Sequence, residues 1–179
     1  MVRVIGPACA GLVALCLVPA AFGHRAGATA TFEGRCEFSG ALRQDPPLTN
    51  TTAPGSATAR ARGACFGTLT KHDGDVRTLD GDRVDYAAQA EGELSCGGGS
   101  SSGAGELRFP GERIRFGFSE VRGPGAAAIS LAGQGGGEAS AVATVSPEED
   151  PVEIAQRCAG EGLRTVRIDI SLTSPGISG

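Results

Sequence analysis

The groups in this chain that could move a proton are few. Of its two histidines, His24 lies close to the N-terminus and His72 sits in the run Lys71-His72-Asp73-Gly74-Asp75. An imidazole flanked by carboxylates can act as a general base. The same residue types also make a polar tight turn whose histidine is simply solvated, and that is the simpler reading. Asp73-Gly74-Asp75 and Asp80-Gly81-Asp82 bracket a short expected strand from Val76 to Leu79. Carboxylates on turns at this spacing are Ca²⁺-ligand chemistry, but Asp-Gly favours tight hairpin turns without any ion. His72, Asp73, Asp75, Asp80 and Asp82 are therefore the candidate site residues. The sequence predicts no catalytic residue, no metal and no other cofactor.

Two further patterns have the letters of an active site without its context. Gly99-Ser100-Ser101-Ser102-Gly103 fits Gly-x-Ser-x-Gly, which needs a strand before it and a helix after it to expose the serine. Here Ala104 to Phe109 reads as a strand. Glu148, Glu149 and Asp150 cluster ahead of a helical segment, where the helix dipole favours negative charge without any catalytic role. Paired carboxylates also hydrolyse glycosides, yet sugar clefts favour aromatic walls, and this chain has no tryptophan and one tyrosine, Tyr86, on an inward position.

Cysteine usage places the chain in an oxidising compartment. Residues 1–23 have the layout of a secretory signal peptide: Arg3, an apolar run from Ile5 to Phe22, and small Ala21 and Gly23 at a cleavage site before His24. Cys9 and Cys16 would leave with it, so residues 24–179 form one domain with Cys36, Cys65, Cys96 and Cys158. An even set of cysteines in an exported chain reads as disulfides. Cys36 shares the inward phase of Phe32 and Phe38, and Cys65 that of Ala57, Ala59 and Ala61. Strands adjacent in sequence are usually adjacent in space, so Cys36 is expected to bond Cys65, leaving Cys96 for Cys158. Each closed loop stabilises by roughly 3 kcal/mol in the chain-entropy account.

Composition excludes some partners. The net charge is −4, and loss of Arg3 would take it one unit further negative. The arginines are scattered among carboxylates, with no basic stripe to follow a phosphate backbone, so nucleic acid is not an expected partner. No second apolar run approaches the length of a membrane span. Lys71 is the only lysine, a bias typical of GC-rich bacterial genomes.

The elements that must position these residues are mostly strands. From Val84 to Cys96, one face carries Val84, Tyr86, Ala88, Ala90, Gly92 and Leu94, and the other Arg83, Asp85, Gln89, Glu91 and Glu93. A period of two over this length is a half-buried antiparallel strand. The same pattern recurs at Ile114, Phe116 and Phe118, at Ala139 to Val145, and from Val166 to Leu172. Glycine and proline clusters separate these stretches, which predicts an antiparallel two-sheet sandwich or a closed barrel. Asp150-Pro151-Val152-Glu153 is a helix start, so one short helix is expected before the last strand, ending at Gly160 or Gly162. Gln44 to Gly55, with Pro46, Pro47 and Pro54, is expected to be a long exposed connection, because proline removes ladder donors.

The stretches Gly34 to Phe38, Leu94 to Gly98 and Glu149 to Gly162 resemble uncharacterised exported β-rich proteins of high-GC bacteria. The resemblance implies a secreted or extracytoplasmic domain and no particular activity. The expectation is an exported non-catalytic module that binds a protein, an envelope component or a small ligand through its loops. Its rivals are an exported carboxylate-dependent hydrolase and a structural cell-envelope protein.

Overall fold

The computed structural model describes residues 29–179; the expected signal peptide, its cleavage site and His24 lie outside them. Eight strands follow one another as β1 (Thr31–Leu48), β2 (Ala53–Thr70), β3 (Val76–Ser95), β4 (Gly98–Phe109), β5 (Glu112–Gly123), β6 (Ala126–Gly133), β7 (Glu138–Val145) and β8 (Leu163–Ser178). The helix α1 (Pro151–Ala159) lies between β7 and β8. Each strand pairs antiparallel with the next, and β8 returns to pair with β1, so the sheet closes into a barrel. Of the two architectures the pattern allows, the barrel is the one adopted. Closure satisfies every strand edge, and strands as long as the 18 residues of β1 and β2 can coil around the axis without a break.

The expected alternation sets the inside of the barrel. Phe32, Cys36 and Phe38 of β1 are buried, as are Ala57, Ala59, Ala61 and Cys65 of β2 and Val84, Tyr86, Ala88, Ala90 and Leu94 of β3. Cys36 and Cys65 are directly opposed across β1 and β2 and are bonded, with Cα atoms 4.1 Å apart. Gly34 and Gly67 face each other on the same two strands. A Cβ on Gly34 would lie 2.1 Å from the Phe66 carbonyl oxygen, so this close approach of backbones requires glycine.

The helix forms as its start signal predicts. The Asp150 carboxylate accepts from the Val152 N–H at 2.8 Å, and Pro151 occupies the first turn, where its missing N–H costs nothing. Gly162, at φ +88°, turns the chain back into β8. Cys158 is bonded to Cys96 in the β3–β4 turn, which pins a two-to-three-turn helix that would be marginal alone.

Two expectations fail. Residues 44–48 belong to β1 and 53–55 to β2, so the exposed connection shrinks to residues 49–52. The prolines are accommodated because β1 shifts register against β8 between Arg43 and Leu48, leaving Pro46 and Pro47 out of that ladder. Asp80-Gly81 is not a hairpin turn. β3 runs straight through it, with a register shift opposite Cys65 and Phe66 and Gly81 at φ +82° as the extra residue of a bulge. The same letters serve either purpose, since both need a residue with positive φ.

The interior is uneven along its axis. At the end holding the β2–β3, β4–β5 and β6–β7 turns it is filled by large side chains, among them Phe32, Leu69, Leu107, Ile114, Phe116 and Ile177, all fully buried. At the α1 end the inward positions of β2, β3, β6 and β7 include a run of alanines, while β1 and β8 still contribute Leu42, Val166 and Ile168.

Candidate functional site

Alanines at successive inward positions leave the α1 half of the barrel hollow. Ala57 and Ala59 of β2, Ala88 and Ala90 of β3, Ala127 of β6 and Ala143 of β7 line a cavity of about 790 Å³. An eight-stranded barrel has an interior just wide enough to be filled by side chains or to hold one small ligand, and short side chains decide which. An aromatic series makes the floor: Phe38 packs on Tyr86 with centroids 5.6 Å apart, Tyr86 on Phe116 at 5.9 Å, and Phe116 on Phe118 at 6.3 Å. Tyr86 and Phe118 face the cavity. Ile154, Ala155 and Cys158 of α1 cover the other end, beside Pro124, Pro147 and Pro151. The volume falls within the range of small-molecule sites.

A small number of polar groups interrupt this apolar wall. Gln44, on the inward phase of β1, is 1 % exposed, and neither its Nε2 nor its Oε1 has a hydrogen-bond partner. A buried polar group left unpaired costs about 1–3 kcal/mol. On β5, Glu120 and Arg122 also point inward, and their side chains are 8 % and 10 % exposed. Arg122 grips Glu120 with two nitrogens, Nε on Oε1 and Nη2 on Oε2, the latter at 3.2 Å. Ser101, directly opposite on β4, donates to Glu120 Oε2 at 3.2 Å. The pair is thereby neutralised within the barrel, as a buried ion pair must be. Burial, and secondarily the Glu120 charge, push the Tyr86 phenol well above its ordinary value.

The candidates chosen from sequence lie elsewhere. His72, Asp73 and Asp75 form the β2–β3 turn at the filled end of the barrel. His72 is largely exposed, with Nδ1 2.8 Å from Glu112 Oε1. The Asp73 carboxyl is lowered by the Asp75 N–H it accepts at 3.0 Å, its largest influence, and is fully exposed. Asp75 pairs with Lys71 at 3.4 Å. Asp82 accepts from the Asp80 N–H at 3.0 Å and pairs with Arg77. These carboxylates thus brace their own turn and bulge, and among the described residues no group of three or more His, Cys, Asp or Glu is arranged to hold a metal ion. The Ser100–Ser102 run is part of β4 and forms no nucleophile elbow. Ahead of α1, Glu149 accepts from the Arg167 N–H at 2.8 Å, Glu148 pairs with the Arg167 side chain, and Asp150 caps the helix.

A second hollow, of about 880 Å³, is lined by Arg60, Arg62, Arg108 and Arg167 with several carboxylates. Three of these arginines are already paired, Arg62 with Asp85, Arg108 with Glu106 and Arg167 with Glu148. It therefore offers far less unmet chemistry than the barrel interior.

Gln44, Glu120 and Arg122 were not singled out by sequence reasoning, although a signal for them exists, and Ser101 was met only as the serine of the Gly-x-Ser-x-Gly run. Extending the inward phase of Phe32 and Phe38 by period two reaches Leu42 and Gln44. Extending that of Ile114, Phe116 and Phe118 reaches Glu120 and Arg122. Polar residues on a core-facing phase mark either a buried network or a site. Comparison with protein-family models, with curated proteins and with solved structures finds no match to this chain.

Proposed function

We propose that this is an exported, non-catalytic binding protein that holds a small, mainly apolar molecule inside the α1 half of its barrel. The observation that carries this reading is the hollow itself. On β2, β3, β6 and β7 this stretch of interior carries alanines where the other half carries larger apolar side chains, and it is covered by a helix pinned through a disulfide. Two disulfides fit an oxidising, extracytoplasmic setting. The outer faces of the strands carry charges such as Arg83, Asp85 and Glu91 on β3, a surface suited to water and costly against acyl chains. Hydrolysis by carboxylates has less support. The two glutamates on the cavity wall, Glu120 and Glu149, are engaged by Arg122 and Ser101 and by the Arg167 N–H respectively.

The test is titration of the disulfide-bonded protein with Nile red, a neutral dye that brightens in apolar surroundings. Saturable binding is expected, weakened at least about tenfold, or roughly 1.4 kcal/mol, by Ala90→Leu. Dye that fails to bind, or binds equally well when residue 90 is leucine, would defeat the proposal.

A further inference from the structure

We infer that the cavity selects an uncharged ligand bearing an amide- or carbonyl-type head group for Gln44, and that it rejects carboxylates and ammonium ions of the same shape. This rests on the ligand-carrier reading above and specifies its chemistry.

The first observation is Gln44. Its primary amide offers two N–H donors and a carbonyl acceptor, and within the described residues it meets none of them. It adjoins the cavity, and the last torsion of a glutamine side chain is soft. The amide therefore turns toward an occupant at little cost. A partner that donates and accepts side by side, as another amide does, satisfies both of its ends.

The second observation is that the charged groups on the wall are already engaged. Arg122 is the one cation lining the cavity, and Glu120 already neutralises it through two contacts. A carboxylate entering the cavity would give up its hydration without gaining a counter-charge. An ammonium ion finds Glu120 held by Arg122 and by Ser101, and Glu149 already accepting the Arg167 N–H. β1 and β5 stand on opposite sides of an eight-stranded ring. The unpaired amide and the closed ion pair thus face each other across the hollow, and the amide is the one with unmet hydrogen bonds.

The experiment displaces bound Nile red with three ligands sharing one alkyl chain: decanamide, decanoate and decylammonium. Decanamide is expected to compete at least about tenfold better than either ion at neutral pH. Acidification below the acid's own pKa is expected to bring decanoic acid close to the amide. In Gln44→Met, with Gln44→Leu as a second variant should the first fold poorly, competition by decanamide, read against that variant's own dye affinity, is expected to fall at least about tenfold while both ions stay excluded. Equal competition by amide and ions, or decanamide competition left unchanged by both substitutions, overturns the inference while leaving the carrier reading intact. Absence of dye binding in the unaltered protein strikes the carrier reading itself, so the two failures are distinct.

Discussion

The two halves of the barrel interior are built by the same strands and differ in side-chain volume. β3 passes from Val84 and Tyr86 into Ala88 and Ala90, β2 from Leu69 and Cys65 into Ala59 and Ala57, and β6 from Leu131 into Ala127. The hollow lies where the methyl groups of these alanines form its wall. At the filled end, glycine does the opposite service. A Cβ on Gly105 would fall 2.6 Å from the Phe116 ring, so its absence lets the ring lie across the barrel. Packing and vacancy are thus assigned residue by residue along otherwise equivalent strands. The helix is pinned over the vacant half.

This contrast can be broken from either side. The largest effect is expected from Leu107→Ala in the filled half, where Leu107 is fully buried. It should lower unfolding stability by about 2–5 kcal/mol, because the truncation leaves a void in a close-packed layer. The reciprocal Ala90→Leu, which adds volume where space exists, should leave the denaturant midpoint nearly unchanged. Equal losses at both positions would mean that the hollow half is not hollow in solution.

Next comes the staple over the cavity. Replacing Cys96 and Cys158 together by serine should lower stability by about 2–4 kcal/mol, read by denaturant unfolding. The loss should be accompanied by earlier hydrogen exchange in α1 than in the strands. Uniform exchange through helix and barrel would remove the distinction between a pinned cover and an integral wall.

The smallest effect concerns the floor. Tyr86 is the only tyrosine and the chain has no tryptophan, so tyrosinate absorbance reports this residue alone. Its folded pKa is raised by burial first and by Glu120 second. Above about pH 10, where an unfolded tyrosine loses its proton, the unfolded chain binds fewer protons than the folded one, and stability falls with rising pH. The slope attributable to Tyr86 approaches 1.4 kcal/mol per pH unit and should vanish in Tyr86→Phe. An ordinary phenol titration in the folded protein would place Tyr86 in contact with solvent.

Much of the fold is legible in the sequence. Period-two alternation located the strands and the buried faces of Cys36 and Cys65. Neighbouring strands implied their bond, and Asp150-Pro151 marked the start of α1. These features are local: alternation, capping and cysteine phase act over a few residues, and tertiary structure had no reason to override them. The misreadings came where local signals conflict. Three prolines outweighed the inward phase that reaches Gln44, and Asp-Gly at residues 80–81 described a bulge as well as a turn.

The candidate site was not legible, for a different reason. His72, Asp73, Asp75, Asp80 and Asp82 drew attention by residue type, yet they brace a turn and a bulge. The residues around the cavity drew none, because alanine carries no chemistry and a vacancy is a property of many strands at once. Chain order and alternation determined that the small side chains face inward. Only closure of β8 onto β1 brought Ala57, Ala90, Ala127 and Ala143 around one axis. That closure left the Gln44 amide beside a space with nothing to bond, since the volume enclosed by a ring of strands depends on all of them together.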